Sequence, residues 1–396
     1  MTRCWESGTA NQSSCASYVL VVDALDECDD DNSIRIILQL LAEARSLKTV
    51  RLRVFLTSRP EVSIRHGFYQ MSETTHYDIA LHNVSPLIID RDISVFLEHN
   101  LRLIGEEDSQ EAGWPGAEAI KALVQSTNGL FIWAATACRF ICAGLFADER
   151  LRTLLEGDAS STATTPEEHL NGIYLTVLRN SVRPGFSQQD KEEFYSILRH
   201  ILGSLMAVFS PLSVNSLSRL LAIPRQRVDR ILKDLHAILD IPKDLNSPLY
   251  LHHPSLRDFL LNVKRCGDPN FWVDEKQAHQ ALATRCIQLM STSLKEDICG
   301  VGRPGVLVAD IKSSQVQRCL PLDVQYACLY WIQHLQKSGT QLQDYDQVHQ
   351  FLQEHLLHWL EALCWMRRVS EGIHAITLLN SIVLVRQLSS YPEIIR

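Results

Sequence analysis

The sequence predicts an α/β beginning followed by a mostly helical chain, on three observations. Tyr18 to Val22 (YVLVV) is a short continuous apolar run that ends in acidic residues. Arg53 to Thr57 (RVFLT) is a second such run, closed by Ser58-Arg59-Pro60, with a helical pattern between the two. From about Asp90 onward, strand-like runs nearly cease.

A continuous apolar run of about five residues is the pattern of a strand buried on both faces. The intervening helix is expected from about Ser33 to Ser46, with Ile34, Ile37, Leu38 and Leu41 on one face. Tyr77 to Leu81 (YDIAL) reads as a third strand. Strands alternating with helices imply a parallel sheet with crossover connections. Beyond it, amphipathic helices are expected over Asp90–Ile104 and Pro115–Ser126, where proline in a first turn is tolerated. Thr165-Pro166-Glu167-Glu168 opens another helix after the polar loop Gly157–Pro166.

From Ser187 to Asn262 the rhythm changes. A long helix carries Phe194, Ile197, Leu198, Ile201, Leu202 and Leu205, and two short helices follow (Val214–Leu221, Arg225–Ala237). Then come two short strands (Ile238–Ile241, Leu249–His252) and a helix from Ser255. Helices followed by a small hairpin make a winged-helix pattern. From about Asp274 the chain is helical again, with loops at Gly300–Gly305 and near Ser338-Gly339.

Composition narrows the classes. A 46% hydrophobic and 21% charged chain of 396 residues is globular and long enough for two to four domains. A net charge of −8 disfavours general nucleic-acid binding. Arg225, Arg227, Arg230 and Lys233 could form a basic stripe, but Asp229 and Asp234 interrupt it and no basic wing follows, so no nucleic-acid partner is expected. Met1 to Ser17 lacks the apolar run of a signal peptide, and the eleven cysteines form no CxxC pair; they read as reduced thiols of a cytoplasmic protein. Gly129 to Phe146 is apolar enough to suggest a membrane span, but Arg139 near its centre would cost about 2.5–3.5 kcal/mol there, and a buried helix is expected instead. No membrane partner is expected.

Asp23-Ala24-Leu25-Asp26-Glu27 follows directly on the first strand. Acids at the carboxyl end of a parallel strand stand at the ligand edge of an open sheet, where one can hold a Mg²⁺ shell and another can polarise water. They can equally be acids at a helix N-terminus. Thr57-Ser58-Arg59-Pro60 ends the next strand, placing a hydroxyl and a guanidinium at the same edge; its alternative is a proline-closed turn. His252-His253, His355 and His358 find no second cluster of ligands, and Trp331, Trp359 and Trp365 read as inter-helix core. Neither a GxSxG elbow nor an HExxH helix is present, and the neighbouring acids disfavour a Cys28 thiolate.

Together VLVVDALDEC and VFLTSRPE resemble the extended Walker B and sensor-1 strands of the NACHT family of STAND NTPases, particularly fungal members associated with non-self recognition. NGLFIWAATACRFI is similar to the helix that follows the nucleotide domain in those members, and HPSLRDF resembles the winged-helix signature whose histidine approaches bound ADP. The resemblance implies a partial P-loop NTPase-like parallel sheet, then a helical domain, a winged helix and a C-terminal helical extension. In this numbering, 1–89 is the second half of a NACHT nucleotide-binding domain, 90–182 the helical domain, 183–265 the winged helix and 266–396 the extension. It also implies roles: Asp23 as metal-shell aspartate, Asp26 and Glu27 as vestigial catalytic acids, and Arg59, Ser58 and His253 at the nucleotide. The family uses ATP or ADP with Mg²⁺.

One departure limits those expectations. No lysine in the sequence follows a glycine, so the GxxxxGK[ST] loop that cradles phosphates is absent from these residues. The expectation is therefore a signal-transduction NTPase fragment that holds no nucleotide and hydrolyses none alone. Its sheet should have three to four strands and exposed apolar edge surface. Such a chain would be a truncated product, a partial gene model or a regulator whose partners are proteins, full-length NACHT relatives among them. The other class is a non-catalytic helical interaction scaffold.

Overall fold

A computed structural model describes residues 16–28, 30–44, 50–69, 71, 76–144, 146–159, 165–302, 305–340, 342 and 346–389. The chain divides into two compact units, 1–84 and 85–396.

In the first unit, strand β1 (Ala16–Val22) leads through a 3-10 turn (Leu25–Glu27) to helix α1 (Asp31–Ala44); strand β2 (Val50–Leu56) and helix α2 (Val62–Tyr69) follow. The two strands pair in parallel and in register from Ala16↔Val50 to Val22↔Leu56. Leu25, Ile34, Leu38 and Ile64 form a small core, with Val22 and Leu56 packed against it from the strand ends. The expected strand Tyr77–Leu81 is not formed. Residues 76–80 are irregular and Leu81–Asn83 is a 3-10 turn, so the sheet has two strands among the described residues rather than three or four. Asp78 fits the alternation of Tyr77, Ile79 and Leu81, but those three are 87%, 67% and 76% exposed and pair with no strand among the described residues. The apolar exposure expected at a sheet edge is found on a face: Val19, Val21 and Phe55 are 71%, 64% and 59% exposed. The end of the helix expected to reach Ser46 lies outside the described residues.

The second unit is helical. Helices α3 (Pro86–Glu107), α4 (Ala117–Thr127), α5 (Phe131–Cys142), α6 (Ala147–Ala159) and α7 (Pro166–Asn180) come first. Asn128 in the left-handed conformation ends α4, and Gly129 follows it before α5. Thr165 and Glu168 form a reciprocal capping box on α7, with Pro166 at the first helical turn. The segment that resembled a membrane span contains the 12-residue α5, seven of whose residues are buried; no helix among the described residues is long and apolar enough to cross a membrane.

Helices α8 (Gln188–Ala207), α9 (Val214–Leu221) and α10 (Arg225–Lys233) follow, and β3 (Leu239–Asp240) pairs antiparallel with β4 (Tyr250–Leu251). A bridge between Ser213 and Pro248 extends this hairpin. The short helices α11 (Ser255–Leu261) and α12 (Val263–Cys266) close the segment. The remainder comprises α13 (Glu275–Ser293), α14 (Ser313–Cys319), α15 (Leu322–Ser338), α16 (Gln347–Trp365) and α17 (Val369–Ser389). One core of buried residues runs from Ile93 on α3 to Leu363 on α16.

The α13–α15 pair carries most of the buried polar groups of the extension. His334 is fully buried, its Nε2 2.8 Å from the Tyr326 hydroxyl and its Nδ1 2.7 Å from Nδ1 of His279. Two facing ring nitrogens at that distance must share one proton. The Phe209 amide donates to Tyr326 Oη, so every member of the chain has a partner. Burial, and then the neighbouring histidine, push His334 down to about 3. Asp323, 2% exposed, pairs with Arg219 of α9 at 3.1 Å; burial raises its pKa and the arginine lowers it.

Two outcomes follow from this packing. Trp359 is fully buried and donates from Nε1 to the Cys328 carbonyl at 2.9 Å, so Trp359→Ala should cost about 3–5 kcal/mol in denaturant unfolding of the second unit. The folded His334 resists protonation, whereas the unfolded chain accepts it near 6.5, so stability is full above that pH and falls as pH drops toward 3. Between pH 7.5 and 5 the loss should be roughly 2 kcal/mol. His334→Gln should flatten that slope in melting curves; an unchanged slope would assign it to other groups.

Candidate functional site

Because β1 and β2 are parallel and in register, both chains leave the sheet at the same edge. Asp23 and Thr57 are the first residues past Val22 and Leu56, and they emerge side by side. The Thr57 amide donates to the Val22 carbonyl at 2.9 Å, and the Leu25 amide donates to the Thr57 carbonyl at 3.0 Å, so the ladder continues past the strand ends. Between them, Ala24 adopts a left-handed conformation (φ 51°), which an alanine avoids unless held. Its amide donates to Thr57 Oγ1 at 2.9 Å, and that hydroxyl in turn donates to the Asp23 carboxylate. Leu25, 2% exposed, anchors the turn in the small core.

Asp26 lies one turn further on. Its Oδ1 accepts from the Arg59 amide at 2.8 Å and its Oδ2 is 3.6 Å from Arg59 Nε. The Asp26 side chain is 8% exposed against 45% for Arg59, so the carboxylate is enclosed and the guanidinium reaches outward. Glu27 and Ser58 are exposed. Asp30 caps α1, accepting from the Asn32 and Ser33 amides at 3.1 Å each; the Asn32 bond first, then the Ser33 hydroxyl, hold it below the usual carboxylate range.

Asp23, Thr57, Asp26 and Arg59 are therefore brought together at one sheet edge. A carboxylate beside a hydroxyl is a hard-oxygen donor set, which suits one side of a hydrated Mg²⁺. No group of three or more His, Cys, Asp or Glu side chains among the described residues could hold a metal unaided. Such a set fits an ion whose remaining ligands are water and substrate phosphate. Asp26 offers less: its two oxygens already face Arg59.

His253 belongs to the second unit and is described there alone. Its Nδ1 accepts from the Ser255 amide at 3.2 Å and lies 2.7 Å from Ser255 Oγ, which is 2.8 Å from the Tyr174 hydroxyl. An Nδ1 that accepts an amide hydrogen carries no proton, so the neutral ring bears its hydrogen on Nε2. Burial raises the Tyr174 pKa, and the hydroxyl donates along the chain Tyr174 to Ser255 to His253. Nothing local in the sequence marks this chain, since Tyr174 and Ser255 lie 81 positions apart. Thr57 was not among the expected site residues, although its place just past the apolar run of the second strand is the signal that could have marked it.

The family model described as Nephrocystin 3, N-terminal, matches residues 1–59, which include Asp23, Asp26, Glu27, Ser58 and Arg59. The vegetative incompatibility protein HET-E-1 of Podospora anserina is 26% identical over 391 residues, covering 92% of this chain and 26% of that protein. Both matches support the resemblance to NACHT-type proteins read from the sequence. The chain spans about a quarter of the length of the curated relative it matches. No solved structure matches. The acidic edge lies wholly within the residues that the family model covers.

Thr57→Val would delete both the acceptor for the Ala24 amide and the donor to Asp23. It should cost about 1–2 kcal/mol and speed amide exchange over residues 23–28. Thr57→Ser, which keeps the hydroxyl, should restore most of both.

Proposed function

We propose that this chain is part of a fungal-type NACHT signal-transduction NTPase, with Asp23 and Thr57 forming the metal side of its nucleotide edge. The carrying observation is the parallel edge that joins a strand-end carboxylate, a hydroxyl, and an arginine held by a second carboxylate. Bound Mg²⁺ would neutralise charge on phosphate oxygens. Asp23 would hold that ion's water shell, and Thr57 would orient Asp23. Asp26 would set the direction of Arg59, whose exposed guanidinium is placed to sense a terminal phosphate. Glu27 and Ser58 would face the same solvent. Three helices followed by the β3–β4 hairpin support a winged-helix reading of α8 to α11, the segment that contains His253.

The residues in hand contain no GxxxxGK[ST] loop, and phosphoryl transfer is mostly positioning and charge neutralisation. By itself the chain should therefore not turn over NTP, and its role in a cytoplasmic assembly would rest on protein partners, complete NACHT relatives first among them. The rival reading, a non-catalytic interaction scaffold, is favoured by the bare apolar face formed by Val19, Val21 and Phe55.

Calorimetric titration separates the two. Weak Mg²⁺-dependent ADP or ATP binding, with Kd near or above about 1 mM, should be seen and should vanish in Asp23→Asn. Hydrolysis above background would sink the claim of inactivity. Complete absence of nucleotide binding would hand the assignment to the scaffold reading.

A further inference from the structure

Helix α14 carries Gln315 and Cys319 four residues apart, and hence on one face. Gln315 Nε2 donates to the Cys299 carbonyl at 2.9 Å. That bond sets α14 against Cys299, in the segment following α13, and brings Cys319, one turn further along the same face, beside the Cys299 thiol. The segment is clamped from its other side. Glu361 of α16 accepts from the Asp297 and Ile298 amides at 3.2 and 3.1 Å, and the Asp297 carboxylate accepts from the Val301 and Gly302 amides at 2.7 and 2.8 Å. Cys299 is 4% exposed, whereas Cys319 is partly open to solvent; both are free thiols.

We propose that Cys299 and Cys319 form a peroxide-sensitive dithiol, an oxidative modification site that staples the 297–302 segment to α14. Partly exposed Cys319 meets the oxidant first. Its thiolate attacks one peroxide oxygen, the O–O bond breaks, and the departing hydroxide takes a proton and leaves as water. The resulting sulfenic acid faces Cys299. The Cys299 thiolate attacks the Cys319 sulfur, the S–O bond breaks, and hydroxide leaves with the proton that Cys299 released. Two thiols and one hydrogen peroxide thus become one disulfide and two waters.

The environment sets which step is slow. Burial first, and the adjoining Cys319 next, push the Cys299 thiol up to about 12, so little thiolate exists at neutral pH. Closure of the disulfide is therefore slow and quickens with pH. A second buried pair serves as an internal control: Cys286 on α13 and Cys328 on α15 are 0% and 1% exposed and offer an oxidant no access. Exposed Cys28, Cys142 and Cys364 report that oxidant was present.

The test treats the reduced full chain with a few-fold excess of hydrogen peroxide, blocks remaining thiols, and maps peptides without reduction. A Cys299–Cys319 cross-linked peptide should dominate among intramolecular disulfides, revert with dithiothreitol, and form roughly tenfold faster per pH unit between 7 and 9. In Cys299→Ala, Cys319 should be trapped as a dimedone adduct. The proposal fails if Cys319 stays a thiol while Cys28 is oxidised, if it passes to sulfinic acid in the native chain, or if it joins another cysteine. Mapping of the native chain alone decides among these outcomes, so a variant that folds poorly leaves the test intact.

Discussion

Parallel pairing of two adjacent strands is the constraint on which the chemistry of the first unit depends. It carries both strand ends to one edge, so residues 34 positions apart, Asp23 and Thr57, become neighbours. An antiparallel pair would have sent them to opposite ends of the sheet. Thr57 then works three ways: its amide and carbonyl extend the ladder, and its hydroxyl both accepts from Ala24 and donates to Asp23. The left-handed turn at Ala24 persists because these bonds surround it, and the turn is what sends Asp26 toward Arg59.

The same pairing leaves a debt in the sheet. Parallel strands are ordinarily covered on both faces, because their crossover helices pack there. In the first unit, α1 and α2 cover only the strand ends near Val22 and Leu56. The face bearing Val19, Val21 and Phe55 remains open, with Arg51 and Arg53 exposed beside it. Apolar exposure on this scale favours association. The second unit faces the opposite difficulty, polar groups buried deep within a helical core. It meets it by pairing them: His279 with His334 and Tyr326, Asp323 with Arg219, and Ser255 with Tyr174.

Much of the helical order was legible because caps and periodicity are local. Thr165 with Glu168, the Asn128-Gly129 break and the apolar face of α8 each sit within a few positions of what they determine. The strand expected at Tyr77–Leu81 was not legible in the same way. Five residues of strand-like pattern become a strand only when a neighbour supplies hydrogen bonds and cover, and no described strand does so there. Among the acids at Asp23 to Glu27, only the resemblance assigned separate roles. The structure distinguishes them: Asp23 faces a hydroxyl, Asp26 faces Arg59, and Glu27 faces solvent.

By itself, the sequence determined the first two strands, the helix between them and most of the helices that follow, and placed acids and an arginine just past two strand ends, since these depend on local pattern. It also determined the resemblance, which lives in the order of short motifs. Only the tertiary structure decided which carboxylate Arg59 takes, that Thr57 rather than Ser58 contacts Asp23, and that Cys319 lies beside Cys299. Those pairings depend on register and helix packing between distant segments, which local pattern does not encode.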